Sequence, residues 1–95
     1  MISLEGDVLR VGGPMRLPEA AALRDAGLGL LKAARCIDLS AVTEVDSSAI
    51  AVLLAWERAG GNGSALPVNG APEGLTSLAR LYEVSSFCGL EAVTL

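Results

Sequence analysis

Ser47 and Ser48, directly after Asp46, are the hydroxyl residues of this chain best placed to do chemistry, and Asp38 offers a second carboxylate upstream. A serine becomes a nucleophile only beside a base that can take its proton. The sequence contains no histidine, which removes Ser-His-Asp and Cys-His catalysis and most zinc sites. Asp38 and Asp46 could share a cation, but two carboxylates without further oxygen ligands make a poor magnesium site. Capping accounts for Asp46 unaided, because free N–H groups at a helix start need acceptors and favour negative charge. Gly60-Gly61-Asn62-Gly63-Ser64 lacks the Lys-Ser/Thr ending of a phosphate loop and follows a helical pattern instead of opening one, so it reads as a helix stop. Cys36 and Cys88 are far apart among apolar neighbours, the pattern of buried reduced thiols. No nucleophile–base pair can be assembled, and neither a metal nor a cofactor is expected; the residues point away from an enzyme.

The elements that position these residues follow from periodicity. Ile2 to Leu4 and Val8 to Val11 read as two short strands joined at Glu5-Gly6-Asp7, with Gly12-Gly13-Pro14 ending the second. From Pro18 to about Ala34 the spacing is helical, with Ala22, Leu23, Ala26, Leu30 and Leu31 on one side and Gly27 and Gly29 weakening the second half. Cys36 to Leu39 reads as a short buried strand, Ser40 to Val45 as a loop, and Asp46 opens a second helix running to about Ala59. Leu66 to Val68 form another strand, Asn69-Gly70 turns, and Pro72 starts a third helix through Leu75, Leu78, Ala79 and Tyr82. Val93 to Leu95 offer a last short strand. Strands alternating with helices predict an α/β domain with at least one parallel strand pair, and the opening hairpin adds an antiparallel edge.

The chain has 95 residues, which is the size of one domain over 1–95. Its 52% hydrophobic content serves either a well-filled core or a protein interface. Net charge is −4 with seven Lys and Arg scattered along the chain, so neither nucleic acid nor an anionic membrane surface is an expected partner. The longest strongly apolar run, Ala49 to Trp56, falls far short of a membrane span, and no basic-then-apolar start marks a signal peptide. A cytoplasmic protein is expected.

On a wheel of about 100° per residue, Ser47, Ser48, Ala51, Ala55, Arg58 and Ala59 of the second helix gather on one side. Ala49, Ile50, Leu53, Leu54 and Trp56 gather on the other, with Val52 and Trp56 toward one boundary. The helix thus buries one broad apolar face and presents small residues, beginning at the two serines, on the other. Such a face admits close approach of another protein's backbone.

The run Ile37-Asp38-Leu39-Ser40, then Val42-Thr43, then Val45-Asp46-Ser47-Ser48 and a small-residue helix resembles the signature of STAS domains, over about residues 1–90. The resemblance implies a small mixed sheet with an N-terminal hairpin and helices packed against it. Ala49-Ile50-Ala51 after the motif, Leu-Leu-Ala-Trp-Glu-Arg ending at Arg58, and Ala71-Pro72-Glu73-Gly74-Leu75 look like the MlaB branch. That branch supplies the cytoplasmic STAS subunit of a phospholipid-transport ABC system, serving outer-membrane lipid asymmetry. The implied role is a non-catalytic accessory subunit that binds an MlaF-like ATPase subunit and is peripheral to the inner membrane through it. Ser47, Ser48, Ala51, Ala55 and Arg58 are then the expected partner-binding residues. The alternative branch is an anti-sigma-factor antagonist, in which the resemblance implies phosphorylation of Ser48 by an anti-sigma-factor kinase. Those proteins usually carry Gly where this chain has Ala49, and a longer C-terminal helix.

Overall fold

The computed structural model describes residues 1–60 and 66–84. The elements, in chain order, are β1 (Ile2–Glu5), β2 (Val8–Met15), α1 (Leu17–Leu30) with a 3₁₀ turn Leu31–Ala33, β3 (Cys36–Val45), α2 (Ser47–Gly60), β4 (Val68–Asn69) and α3 (Glu73–Leu81). The strands form one sheet in the order β1-β2-β3-β4. β1 and β2 pair antiparallel, while β3 is parallel to both β2 and β4. This is the mixed α/β sheet with an N-terminal hairpin that the alternation of elements predicts, with three helices packed on it. The strand Val93 to Leu95, Cys88 and the glycine-rich run at 61–64 lie outside the described residues.

Two strands are longer than the sequence reading allows. β2 continues through Gly12-Gly13-Pro14 to Met15, and β3 continues through Ser40 to Val45, where a loop was expected. The reason is a pair of irregularities that break the two-residue period. Between Arg10↔Asp38 and Gly12↔Ala41, and again between Gly13↔Val42 and Pro14↔Glu44, β3 advances one residue more than β2. Each such bulge throws the alternation out of phase, so Leu39 and Val42 both face the core while Ser40 and Ala41 between them are exposed. Gly13 meets this geometry with φ +80, a conformation that side-chain-bearing residues rarely adopt. At the other end the chain is shorter than expected: β4 is only Val68–Asn69, not Leu66 to Val68.

The inward strand residues Leu9, Val11, Met15, Ile37, Leu39 and Val42 merge with helix residues into one buried cluster. Ser3, Arg10, Asp38 and Asn69 are register partners across the opposite face. There Arg10 bridges Glu5 at 3.0 Å and Asp38 at 3.3 Å. Exposed ion pairs of this kind contribute about 0–1 kcal/mol, against roughly 1.5–3 kcal/mol for each large apolar side chain fully buried. The core therefore dominates, and its largest fully buried side chain is Trp56.

Trp56 also corrects the predicted phase of α1. Ala22 and Ala26, expected inward, are exposed; the buried positions are Leu23 and Gly27, followed by Leu31. Gly27 lies flat against the indole, where an added Cβ would sit 2.3 Å from Cε2. The indole Nε1 donates to the Arg24 carbonyl of α1 at 3.1 Å. A glycine that weakens a helix by propensity is here what allows two helices to meet. Cys36 is likewise corrected: its thiol is free but only half-buried, at the start of β3.

Substituting Gly27 by Ala should force α1 away from Trp56 and lower unfolding free energy by about 1–3 kcal/mol, as overpacking a close contact does. The gain in helix propensity, at most about 1 kcal/mol, should not offset it. Leu53→Ala, at a fully buried site, should cost on the order of 2–5 kcal/mol. Denaturant unfolding measures both; a Gly27→Ala protein as stable as wild type would show that the helices can separate without loss.

Candidate functional site

β2 and β3 run parallel and are each followed directly by a helix, so the starts of α1 and α2 emerge at the same end of the sheet. Asp46 stands between β3 and α2 and joins those two starts. Its Oδ1 accepts the N–H of Ser48 at 2.8 Å, and its Oδ2 accepts the N–H of Leu17, the first residue of α1, at 3.1 Å. Beside it Arg16 pairs with Glu44 at 2.7 Å, and Glu19 reaches back to the Arg16 N–H at 2.9 Å. One carboxylate thus caps two helices. Partial desolvation opposes its charge, but the N–H groups of Ser48 and Leu17, the Ser48 hydroxyl and Arg16 outweigh that and hold its pKa below the ordinary value.

The expected partner-binding residues divide cleanly. Ser47, Ala51 and Arg58 are exposed along one stripe of α2, as the wheel places them. Ser48 and Ala55 are half-buried, which corrects their assignment to the fully outward side: they flank the stripe. Ala49, Ile50, Val52, Leu53 and Trp56 are all buried, so Val52 and Trp56 belong to the core and not to a boundary. No large apolar residue of α2 is left on the exposed stripe.

Two residues escaped the sequence reading. Leu17 is 72% exposed at the start of α1 and is tethered beside Ser47 through Asp46. Nothing in sequence spacing joins positions on different helices, so this neighbour is visible only in the fold. Glu57 is buried on the inner face of α2. Here a signal existed: the same wheel that separates the faces puts residue 57 between Ile50 and Leu53.

The aspartates do not converge on a cation. Asp38 accepts the Ser40 N–H at 2.9 Å and faces Arg10, and its pKa is lowered chiefly by the bonds from Ser40. Asp46 is occupied by helix N–H groups. Among the described residues no group of His, Cys, Asp or Glu is arranged to hold a metal ion. What this end of the molecule offers is a surface: a capped helix start, an adjacent small-residue stripe and one exposed leucine. Among the described residues no helix is long and apolar enough to cross a membrane.

A family model described as Mlab, STAS domain, matches residues 2–91. The chain therefore belongs to the STAS domain family. No curated protein matches it. STAS domains are generally non-catalytic, and membership supports an accessory or regulatory role.

Replacing Asp46 by Asn should keep one acceptor and lose one of the two backbone bonds, lowering the melting temperature at neutral pH. Because the folded pKa lies below the ordinary 3.8, the wild-type advantage should be present above that value. It should be lost as pH falls through the folded pKa, where the carboxylate is protonated. Melting curves of wild type and Asp46→Asn that run parallel from neutral pH down to about pH 2 would exclude the double-capping role.

Proposed function

We propose that this chain is a non-catalytic accessory subunit that docks, through the outward stripe of α2, onto the ATPase of an ABC-type phospholipid transporter. The observation that carries the reading is the division of α2. Its large apolar side chains are all committed to the core or half-buried, while Ser47, Ala51 and Arg58 stay exposed with half-buried Ser48 and Ala55 beside them. A stripe without bulk lets a partner helix approach closely, and the exposed Arg58 gives its far end a charge for register. The choice of partner rests on the resemblance of Val45 to Arg58 and of Ala71 to Leu75 to the MlaB branch, within a family that the chain belongs to. The subunit would then sit on the cytoplasmic side of the inner membrane through its partner. Such a subunit acts by binding one state of the ATPase more tightly than another, and shifts it by no more than that difference.

The anti-sigma-factor antagonist reading asks for a phosphate on Ser48. Ser48 is half-buried, and its N–H donates to the Asp46 carboxylate. A phosphate there meets the negative charge of Asp46, which opposes it, and the N–H groups and dipole of the helix start, which favour it. Ala49, where the antagonists usually carry Gly, favours the ATPase reading.

Ala51→Arg should leave the melting temperature nearly unchanged, since exposed helix positions tolerate Arg. It should abolish co-purification with an MlaF-type ATPase from the same cells. Ser47→Arg should behave alike with a small loss from the disturbed helix start, and Ala55→Arg should lose binding with a larger stability cost because its site is half-buried. If Ala51→Arg melts normally and still co-purifies in full, the docking surface lies elsewhere. Intact-mass measurement of protein from native cells should find Ser48 unphosphorylated; a substantial phosphorylated fraction would move the reading to the antagonist.

A further inference from the structure

Among the described residues the exposed large apolar side chains are Met1, Leu17, Leu28, Leu81 and Tyr82. Single exposed apolar residues are ordinary on a protein surface, so position is what separates them. Met1 borders the face of the sheet that carries Arg10 and Asp38. Leu28 lies in the last turn of α1, and Leu81 and Tyr82 lie at the end of α3. Leu17 is the one that stands at a helix start, and it is 72% exposed.

The fold gives Leu17 no part in the core, because the inward positions of α1 are Leu23 and Gly27. A first helical turn favours acidic or small polar side chains, which meet its free N–H groups. Leucine gains neither advantage there. Its backbone is nevertheless fixed: the N–H donates to Asp46 Oδ2 at 3.1 Å, and Pro18 follows with its restricted φ. An apolar side chain is thus held out in water on a rigid mount, tied to the residue that precedes Ser47.

Arg58 is its counterpart at the far end of α2. Arg10, Arg16, Arg24 and Arg35 each have a carboxylate partner. Arg58 is exposed and has none among the described residues, like Lys32 and Arg80 on other elements. In a chain of net charge −4 it places a cation at the end of the stripe. Between Leu17 and Arg58 nothing on the stripe is large. From Ser47 to Arg58 the helix rises about 16 Å, at roughly 1.5 Å per residue.

We propose that the surface docked on α2 presents an apolar hollow to Leu17 and a carboxylate to Arg58, about 16 Å apart. The inference rests on the docking reading above and adds the chemistry of the partner's side. A stripe of small residues admits a partner's backbone but offers little apolar area of its own. Burial of the leucine supplies that area, and the opposed charges fix direction and register. A partner laid the other way along the stripe brings its carboxylate to Leu17 and its hollow to Arg58, and both contacts are unfavourable.

The test is equilibrium binding of the full chain to the purified MlaF-type ATPase of the same cells, with melting curves as the control on the fold. Leu17→Ala should melt as wild type, since the side chain is in water and the N–H bond to Asp46 is kept. It should bind at least about tenfold more weakly, the loss expected when a buried leucine is truncated. Leu17→Met, which restores the volume, should recover most of that loss. Arg58→Gln should weaken binding by about two- to tenfold and flatten its salt dependence. Arg58→Glu should bind more weakly than Arg58→Gln, because two carboxylates then face each other. Ala51→Arg separates the two ways of failing. If it abolishes binding while Leu17→Ala binds as wild type, or while Arg58→Glu binds as well as Arg58→Gln, the two-point fit is overturned and the docking surface stands. If Ala51→Arg binds in full, or wild type does not bind the ATPase, the docking reading falls and this inference falls with it.

Discussion

How closely α1 can approach α2 at Trp56 governs the helical layer. The indole fills the centre of the core with no exposed surface, and its one polar atom must find an acceptor once it is out of water. It finds the Arg24 carbonyl, and that bond is within reach only because Gly27 brings no side chain between the helices. The contact fixes the rotation of α1: with Gly27 against the ring, Leu23 and Leu31 must face inward and Ala22 and Ala26 must face water. The cost of a glycine inside a helix, about 1 kcal/mol, is small beside the burial of a tryptophan. Packing wins over propensity.

The same pair of helices is joined a second time, at its N-terminal end, through Asp46. Indole and carboxylate act at opposite ends of one helix pair, the first by shape and the second by satisfying N–H groups of both helices at once. The exposed end of the molecule is therefore not a loose loop region. Ser47, Ala51 and Leu17 are held in a fixed relation by groups that are themselves engaged with the fold. A surface preorganised in this way loses little conformational freedom when it meets a partner, which suits a subunit whose role is to bind.

Glu57 lies toward the other end of α2. Between Trp56, which is fully satisfied, and Arg58, which is solvated, the helix carries a carboxyl with one oxygen bonded to the Leu66 N–H and the other without a partner among the described residues. The N-terminal half of α2 is tied by bonds that strengthen as Asp46 ionises. The C-terminal half carries an acid that is best accommodated neutral. One helix thus holds two carboxyls whose environments push their pKa values in opposite directions.

The order of elements, the two faces of α2, the capping role of Asp46 and the family signature can all be read along the chain. Each of these is a local pattern: a period of 3.6 residues, a run of strand formers, or a motif read along the backbone. Whatever depends on a neighbour distant in sequence arises only in the folded chain. The bulges of β3 take their meaning from the register with β2, so Ser40 to Val45 read as a loop until they are paired. Gly27 reads as a weak point of a helix until Trp56 lies against it. Leu17 and Ser47 belong to different helices, and only the folding of both onto one end of the sheet makes them neighbours. Glu57 was legible as a carboxylate on an apolar face, but burial and the Leu66 N–H, which set its ionisation, exist only once the chain has closed. Local periodicity is written in the sequence, whereas desolvation and shape are properties of the assembled core.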